Sequence, residues 1–354
     1  MNDLHEYKCP ACGGALAFDT ELQMLKCPYC DTTYDPQKMN VASDEDVANN
    51  AMSADSTQQG QNELFIYLCN SCGGEIVADA STGATSCPYC NNPVVMIGQF
   101  SGTVRPNYIL PFKLDKKRAV AALKRHYRKK PFLPSVFTTQ NKINDIKGIY
   151  VPFWHFSAFT EASIEYTGQK IKTWSDSNYE YTETSRYKIV REGAVSYSYV
   201  PVDASWKMPD DLMNSLEPYD LNEAVGFNTA YMAGFLADKF DVDRESSEPR
   251  ANQRMSLSTE RSFSESITGF QRLNITHKSI NFSDVTAQYI MLPVWYLSTT
   301  WNGEEYVFAM NGQTGKLIGE LPVDKNKSKL ATFLLTIGFF GIFVALYLAA
   351  MGGM

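Results

Sequence analysis

Two stretches limit what this chain can become more than anything else in it: CPACGGALAFDTELQMLKCPYC (9–30) and CNSCGGEIVADASTGATSCPYC (69–90). Each is a pair of C-x2-C motifs separated by 14 residues, and the two agree at nine of 22 positions, Asp19 and Asp79 among them. Two residues between paired cysteines let the backbone close into a knuckle whose amides face the sulfurs. The pairs Gly13-Gly14 and Gly73-Gly74 suit the positive φ of such a turn. A 14-residue insert is enough for a short β-hairpin that brings the second knuckle back over the first. Four thiolates then close a tetrahedral site with no position for water, so the metal is structural. The expectation is two zinc ribbons. Cys9, Cys12, Cys27 and Cys30 hold one Zn2+ ion, and Cys69, Cys72, Cys87 and Cys90 hold the other. At this size each ion supplies roughly 10 kcal/mol or more of folding free energy.

All eight cysteines lie in these cassettes, which points to a reducing compartment. Disulfides are a formal alternative, but neither pair has the setting of a redox CxxC. Ribbons bind nucleic acid or protein, and charge separates the two. Residues 1–36 carry a net −4 and residues 64–98 a net −2 within a chain of net −7. Such modules repel phosphate, so protein-binding or purely structural ribbons are expected and nucleic acid is disfavoured as a partner. The N-terminus MNDLHEYK shows neither an export signal nor a myristoylation glycine.

From Leu330 to Ala350 run 21 residues without a charge. As a helix they rise about 31 Å, the thickness of a bilayer's hydrocarbon core. Lys325, Lys327 and Lys329 flank the entry and only GGM follows the exit, so the positive-inside bias keeps residues 1–329 cytoplasmic. The expectation is a single-pass tail anchor in the cell membrane.

Residues 38–63 are polar, acidic and small, and read as a flexible linker between ribbon 1 (1–37) and ribbon 2 (64–98). Residues 105–323 read as one mixed, β-rich α/β domain, giving an α+β chain overall. LDKKRAVAALKRHYRKK (114–130) is an amphipathic helix with Asp115 as N-cap and Val120, Leu123 and Tyr127 on one face. Nine Lys or Arg and no acid lie between Lys116 and Lys142. That face is solvated, salt-bridged within the chain, or laid on anionic headgroups. Strands are expected at 148–156, 162–174, 179–190, 193–202, 289–301 and 303–322, and helices at 209–216, 221–240 and 247–267. Pro152-Phe153-Trp154 recurs as Pro293-Val294-Trp295, which hints at two related halves.

Reactive constellations are missing. GQTGK (312–316) fails as a P-loop because Met310 holds the first glycine position, and it reads as a hairpin turn. His5, His126, His155 and His277 are scattered, and Asp210, Asp211, Asp241 and Asp243 suit caps and turns. An enzyme would require a pocket joining His155 to the acids of 203–243.

The tandem ribbons, IYVPFW, VDAS (202–205), EPYDL (217–221), AGFLADKFD (233–241), LPVWYL, NGQTGKLIGELP and the terminal apolar helix follow one another along nearly the whole chain. In that order they resemble a bacterial zinc-ribbon membrane protein family. Its members are often labelled TFIIB-type zinc-ribbon proteins or, misleadingly, the primosomal helicase PriA. The resemblance implies a role beside phage-shock protein A-like and SPFH-domain proteins at a stressed membrane. It carries over the eight cysteine ligands and no catalytic residue. Together these readings make a non-enzymatic, tail-anchored adaptor that recruits protein partners to the membrane, touches its lipids and can oligomerise. The alternative is a membrane-held nucleic-acid-binding regulator.

Overall fold

The computed structural model describes residues 7, 9–39, 64–69, 73–79, 87–89, 95–99, 105–138 and 143–351. In chain order, β1 (Ala17–Asp19), β2 (Met24–Lys26) and β3 (Thr33–Tyr34) form a small antiparallel sheet. Next come β4 (Leu64–Leu68), β5 (Glu75–Asp79), β6 (Val95–Gln99), β7 (Tyr108–Ile109), α1 (Lys116–Arg128) and α2 (Ser135–Thr138). Two long strands follow, β8 (Lys147–Ser175) and β9 (Glu180–Asp203), and then α3 (Asp210–Leu216), β10 (Val225–Gly226), β11 (Leu236–Asp238) and α4 (Arg244–Glu265). The chain closes with β12 (Arg272–Trp301), β13 (Glu304–Asn311), β14 (Leu317–Gly319) and α5 (Lys325–Met351). The fold is mixed α+β.

Strands β4 to β14 make one 11-stranded sheet, ordered β10-β7-β12-β8-β11-β5-β4-β6, with β9 beside β8 and β13-β14 beyond β12. Its centre is buried on both faces, which is why GIYVPFWHF and YIMLPVWYL are continuously apolar. Tyr150, Trp154, Tyr289 and Trp295 point to one core, with α1, α4 and the first cassette. Ile149, Val151, Leu292 and Val294 point to the other, with α3 and the second cassette.

The sheet centre has a local two-fold. Pro152 lies opposite Met291 and Pro293 opposite Tyr150, so the axis passes through the Val151–Leu292 pair. It exchanges β8 with β12, β9 with β13, and β11 with β7. The short parallel strands obey it residue by residue: Leu236 pairs Ile149 as Tyr108 pairs Ile290. Asp115 and Asp243 cap α1 and α4 alike, accepting from Arg118 N and Ser246 N, each at 2.7 Å. Each tryptophan of the P-x-W repeat donates its indole N–H, at 3.0 Å, to the carbonyl before the opposite cap. Trp295 reaches Leu114 O, and Trp154 reaches Val242 O. Buried Ala119, Leu123 and Tyr127 of α1 match Ser247, Ala251 and Met255 of α4. Ala204 N bonds Pro152 O at 3.0 Å, as Gly312 N bonds Pro293 O at 2.9 Å. The chain between Tyr108 and Asn311 is therefore two copies of one strand–helix–hairpin unit that trade their first strands.

The longest departure from the symmetry is an arm. Past Thr160, β8 and β9 run on as a long hairpin, and residues 272–283 of β12 pair along β8 to make a three-stranded arm. Asp176 closes the tip by accepting from Asn178 N and Tyr179 N, both at 2.9 Å. Trp174 stacks on Tyr181 at 5.6 Å beside the tip, and Lys172 lies over the indole.

Several expectations change. Residues 221–240 are not a helix: 3-10 turns at Leu221–Glu223 and Thr229–Met232 alternate with β10 and β11. Gly234 sits at φ +87°, and the short β11 is inserted between β8 and β5, where apolar residues must face both ways. The four expected strands between 148 and 202 are two, because the arm carries each run through without a turn. The two ribbon segments are not free-standing modules. β5 pairs β11 in the central sheet, and Leu16, Phe18 and Leu25 join the main core. Of the linker, only Lys38 and Met39 fall among the described residues. The hairpin reading of GQTGK agrees with the structure: β13 pairs β14, Asn311 N bonds Lys316 O, and Gly315 adopts φ +78°.

The helix α5 is long and apolar enough to cross a membrane. Between Lys325 and Val344 none of it is buried; Phe333, Leu335, Phe339 and Phe343 are each at least 62% exposed. A core helix would bury one face at least.

Candidate metal centre

The first cassette folds as its spacing requires. β1 and β2 pair antiparallel from Ala17–Lys26 to Asp19–Met24, so the insert is a hairpin that returns Cys27 and Cys30 to Cys9 and Cys12. Asp19 holds its turn by accepting from Glu21 N and Leu22 N at 2.9 and 3.0 Å. At the first knuckle Cys9 N bonds Gly14 O at 2.7 Å and Gly13 N bonds Cys9 O at 2.8 Å, with Gly13 at φ +74°. The second repeats the clasp: Cys27 N to Thr32 O at 3.0 Å and Asp31 N to Cys27 O at 2.9 Å. Here the left-handed residue is Asp31, at φ 58°. The second glycine of the first pair has another use, since a Cβ on Gly14 would stand 2.5 Å from the Tyr29 ring.

The four sulfurs lie within 4.8 Å of one another, with Cys9–Cys30 at 3.5 Å and Cys12–Cys27 at 3.4 Å. A tetrahedron of Zn–S bonds near 2.3 Å has sulfur–sulfur edges of about 3.8 Å, so the donor set fits such an ion. Among the described residues this is one four-cysteine group that can hold a metal. Cys9 and Cys27 are buried; Cys12 and Cys30 are exposed. The Tyr34 hydroxyl donates to the Cys9 sulfur at 3.4 Å and, with the amides of Cys12 and Ala11, lowers that thiol to about 6. The hydroxyl and the amide of Thr32 also lower the Cys30 thiol below its ordinary value. Both groups favour the thiolate a metal needs. Tyr34 and Thr32 lie outside the cassette, and an Asp-Thr-Thr-Tyr run after CPYC announces them only weakly.

In the second cassette Cys69 N bonds Gly74 O and Gly73 N bonds Cys69 O, both at 2.8 Å, with Gly73 at φ +70°. This is the knuckle of Cys9 again. Cys69 and Cys87 are buried in the second core. Cys72 and Cys90, expected as their co-ligands, lie outside the described residues. The two CPYC tyrosines part company. Tyr29 is 77% exposed, whereas Tyr89 is buried with its ring 5.8 Å from Tyr296.

Both cassettes are bolted to the duplicated body. Phe18 N bonds Ala233 O at 3.1 Å, Gln23 Nε2 bonds Phe112 O at 2.8 Å, and Arg118 meets Glu21 at 2.6 Å. On the other face Lys239 pairs with Glu75 at 2.9 Å, and Lys147 Nζ donates to Cys87 O at 3.3 Å.

Three of the aspartates singled out in the body, Asp210, Asp241 and Asp243, have structural partners. Arg250 holds both Asp203, at 2.6 Å, and Asp210, at 2.9 Å. Arg254 holds Glu217 at 2.8 Å and reaches Pro201 O. The two arginines strap α4 to the α3 segment around the edge of β9. Asp241 pairs with Lys207, and Asp243 caps α4. His155 is buried with no partner for Nε2 among the described residues. Burial, then Arg254, lowers it to about 4, so it is a neutral core imidazole at physiological pH.

The chain is 33% identical over 352 residues to the uncharacterized protein YdjG of Bacillus subtilis (strain 168), with 98% of each chain covered. No family model matches it, and no solved structure does. The match covers nearly the whole of both chains, and the chain belongs to the family of YdjG.

Proposed function

We propose that this protein is a non-enzymatic, zinc-stabilised scaffold anchored in the cell membrane by α5, with residues 1–329 in the cytoplasm, and that its body recruits protein partners there. One observation carries the reading: a helix apolar on every side and wholly unburied extends from a body in which Cys9, Cys27, Cys69 and Cys87 are part of the cores and buried Asp203 is held by Arg250. Zn2+ suits the first cassette, since four thiolates at tetrahedral spacing with no open position are its structural site, and the repeated spacing and knuckle of the second support the same ion there. Lys325, Lys327 and Lys329 at the foot of α5 support the orientation. Phage-shock protein A-like and SPFH-domain proteins are the proposed partners, on the family resemblance and the expected response to membrane stress.

The cassettes then act as clamps, the first packed on one face of the sheet and the second continuing the sheet beyond β11 with its knuckle residues in the opposite core, rather than as modules on a tether. A negative net charge over both still argues against nucleic acid. The test joins three measurements on the full chain: zinc per mole, extraction of membranes with alkaline carbonate, and cross-linking in intact cells. Two zinc ions, retention in the membrane pellet and a recurring protein partner are expected. Less than one zinc, release by carbonate, or no partner above background overturns the corresponding part.

A further inference from the structure

We infer that the C-terminal end of α1 and the Lys129–Leu133 loop after it form a docking site for anionic phospholipid headgroups at the foot of α5. This deepens the membrane reading above and rests on it. Three independent observations lead there.

The first is position. Asp324 caps α5, and its own amide donates to Phe132 O at 2.8 Å. Lys327 Nζ donates to Leu133 O at 2.8 Å. The loop is thus fastened to the first turn of the apolar helix. The uncharged run begins at Leu330, six residues beyond Asp324, or about 9 Å along the axis. A headgroup layer is roughly 5–8 Å deep, so the loop rests on its outer surface, within about one Debye length of the lipid phosphates.

The second is charge that the fold does not require. Helix α4 occupies the same place in the other half. At the positions of Lys116, Lys117, Arg118, Lys124, Arg125 and Arg128 it carries Arg244, Glu245, Ser246, Asn252, Gln253 and Ser256. The same cap, buried stripe and tryptophan clasp are achieved there with no net charge. Five of the six cations, all but Lys116, therefore have no cationic counterpart and are surplus to the two-fold architecture. Arg118 is engaged by Glu21, whereas Lys124, Arg125, Arg128, Lys129 and Lys130 are exposed and pair with no carboxylate among the described residues.

The third is an aromatic at the right level. Phe132 is 37% exposed at the tip of this loop, next to exposed Pro131, while its neighbours Leu133 and Phe137 are buried. A half-exposed ring beside a cluster of cations on a membrane-facing loop suits the headgroup–acyl boundary.

The test places the full chain in lipid nanodiscs, either of neutral phosphatidylcholine alone or with about a third of anionic phosphatidylglycerol, and follows backbone hydrogen exchange over 124–133. Exchange is expected to slow on the order of tenfold in the anionic discs at low salt. High salt and the double variant Lys129→Glu/Lys130→Glu should abolish the effect, and the corresponding segment of α4, 252–261, should not change. Two zinc ions per chain check that the variant is folded. Equal exchange in the two kinds of disc, or slowing that survives the double variant, overturns the docking site alone. Failure of the chain to enter either disc overturns the membrane reading and takes this inference with it.

Discussion

Trp154→Phe and Trp295→Phe measure whether the two halves are held by the same device. Each tryptophan is nearly buried, 7% and 4% exposed, and each donates at 3.0 Å to a carbonyl just ahead of a helix cap. Phenylalanine keeps most of the ring contact and removes the donor. Stranding the carbonyl costs about 1–3 kcal/mol. A void of roughly 40 Å3 adds about 1 kcal/mol at some 24 cal/mol per Å3. Each variant should lose about 2–4 kcal/mol, lowering the melting temperature by on the order of 5–10 °C for a body of this size.

The magnitudes should agree between the variants, because the partners, distances and burial agree. Trp154 faces Tyr289 across the strands, six residues from Trp295 on β12, a separation of about 20 Å. The double variant should therefore be additive within about 0.5 kcal/mol. Trp301→Phe is the control: that ring is half-buried at the end of β12 and should cost below about 1 kcal/mol. Circular dichroism in detergent during urea and thermal unfolding reads all four. A difference above about 1.5 kcal/mol between the two single variants would refute the equivalence of the clasps.

Other expectations follow from single sites. Cys12→Ser should leave one zinc per chain by elemental analysis, the other cassette keeping its ion; retention of two would remove Cys12 from the ligand set. Gly312→Ala should destabilise by about 1–3 kcal/mol, because its Cβ would stand 2.7 Å from the Phe112 ring and 2.8 Å from Pro293 Cβ. The two-fold mate of Gly312 is already Ala204, so the cost comes from Phe112 packing and not from the turn; a neutral melt would show that this ring can move aside. His155→Phe tests burial of the imidazole. Folded His155 titrates near 4 and the unfolded chain near its ordinary 6.5, so below about pH 6.5 the unfolded state takes up the extra proton. The parent should lose about 3 kcal/mol relative to the variant between pH 7 and pH 4. A constant gap across that range would place the imidazole in water.

What the sequence made legible was whatever depends on spacing along the chain. C-x2-C with a 14-residue insert fixes a knuckle–hairpin–knuckle, and the first cassette is built so. Asp115 ahead of an apolar 3–4 repeat fixes α1. The duplication was visible only as two P-x-W strings, because ILPFKLD (109–115) and ADKFDVD (237–243) share just a phenylalanine and the capping aspartate. What these segments have in common is backbone hydrogen bonding and strand exchange, neither of which leaves a residue signature. The 221–240 region misled for a related reason. A short apolar run reads alike as a buried helix or a central strand, and partners far away in the chain decide. The docking of the cassettes was hidden because Phe18, Leu25 and Ile76 look like the private core of a ribbon until the sheet beneath them is known.

An internal duplication supplies its own control, since a residue needed by the fold should have a counterpart in the other half. The caps, the indole donors and the Pro152 and Pro293 carbonyl clasps all do. Three features do not. The arm has no mate, because β12 turns back at Asn302-Gly303 where β8 runs on. The second cassette lays β5 on β11 at the place where the other half has only the two-residue β10 against β7. The cations of α1, Lys116 apart, have no cationic equivalent in α4. The two-fold requires none of the three, although the second cassette lends Cys69, Ile76, Cys87 and Tyr89 to the second core. Their positions divide the labour: the cassettes lock the sheet at one face and one edge, the basic end of α1 sits at the foot of α5, and the outer edges of the arm pair with no further strand among the described residues. The scaffold proposed above needs a lock, a seat on the membrane and an open surface for a partner. The edges of the arm, where backbone groups are still available for strand addition, are where that partner is to be sought.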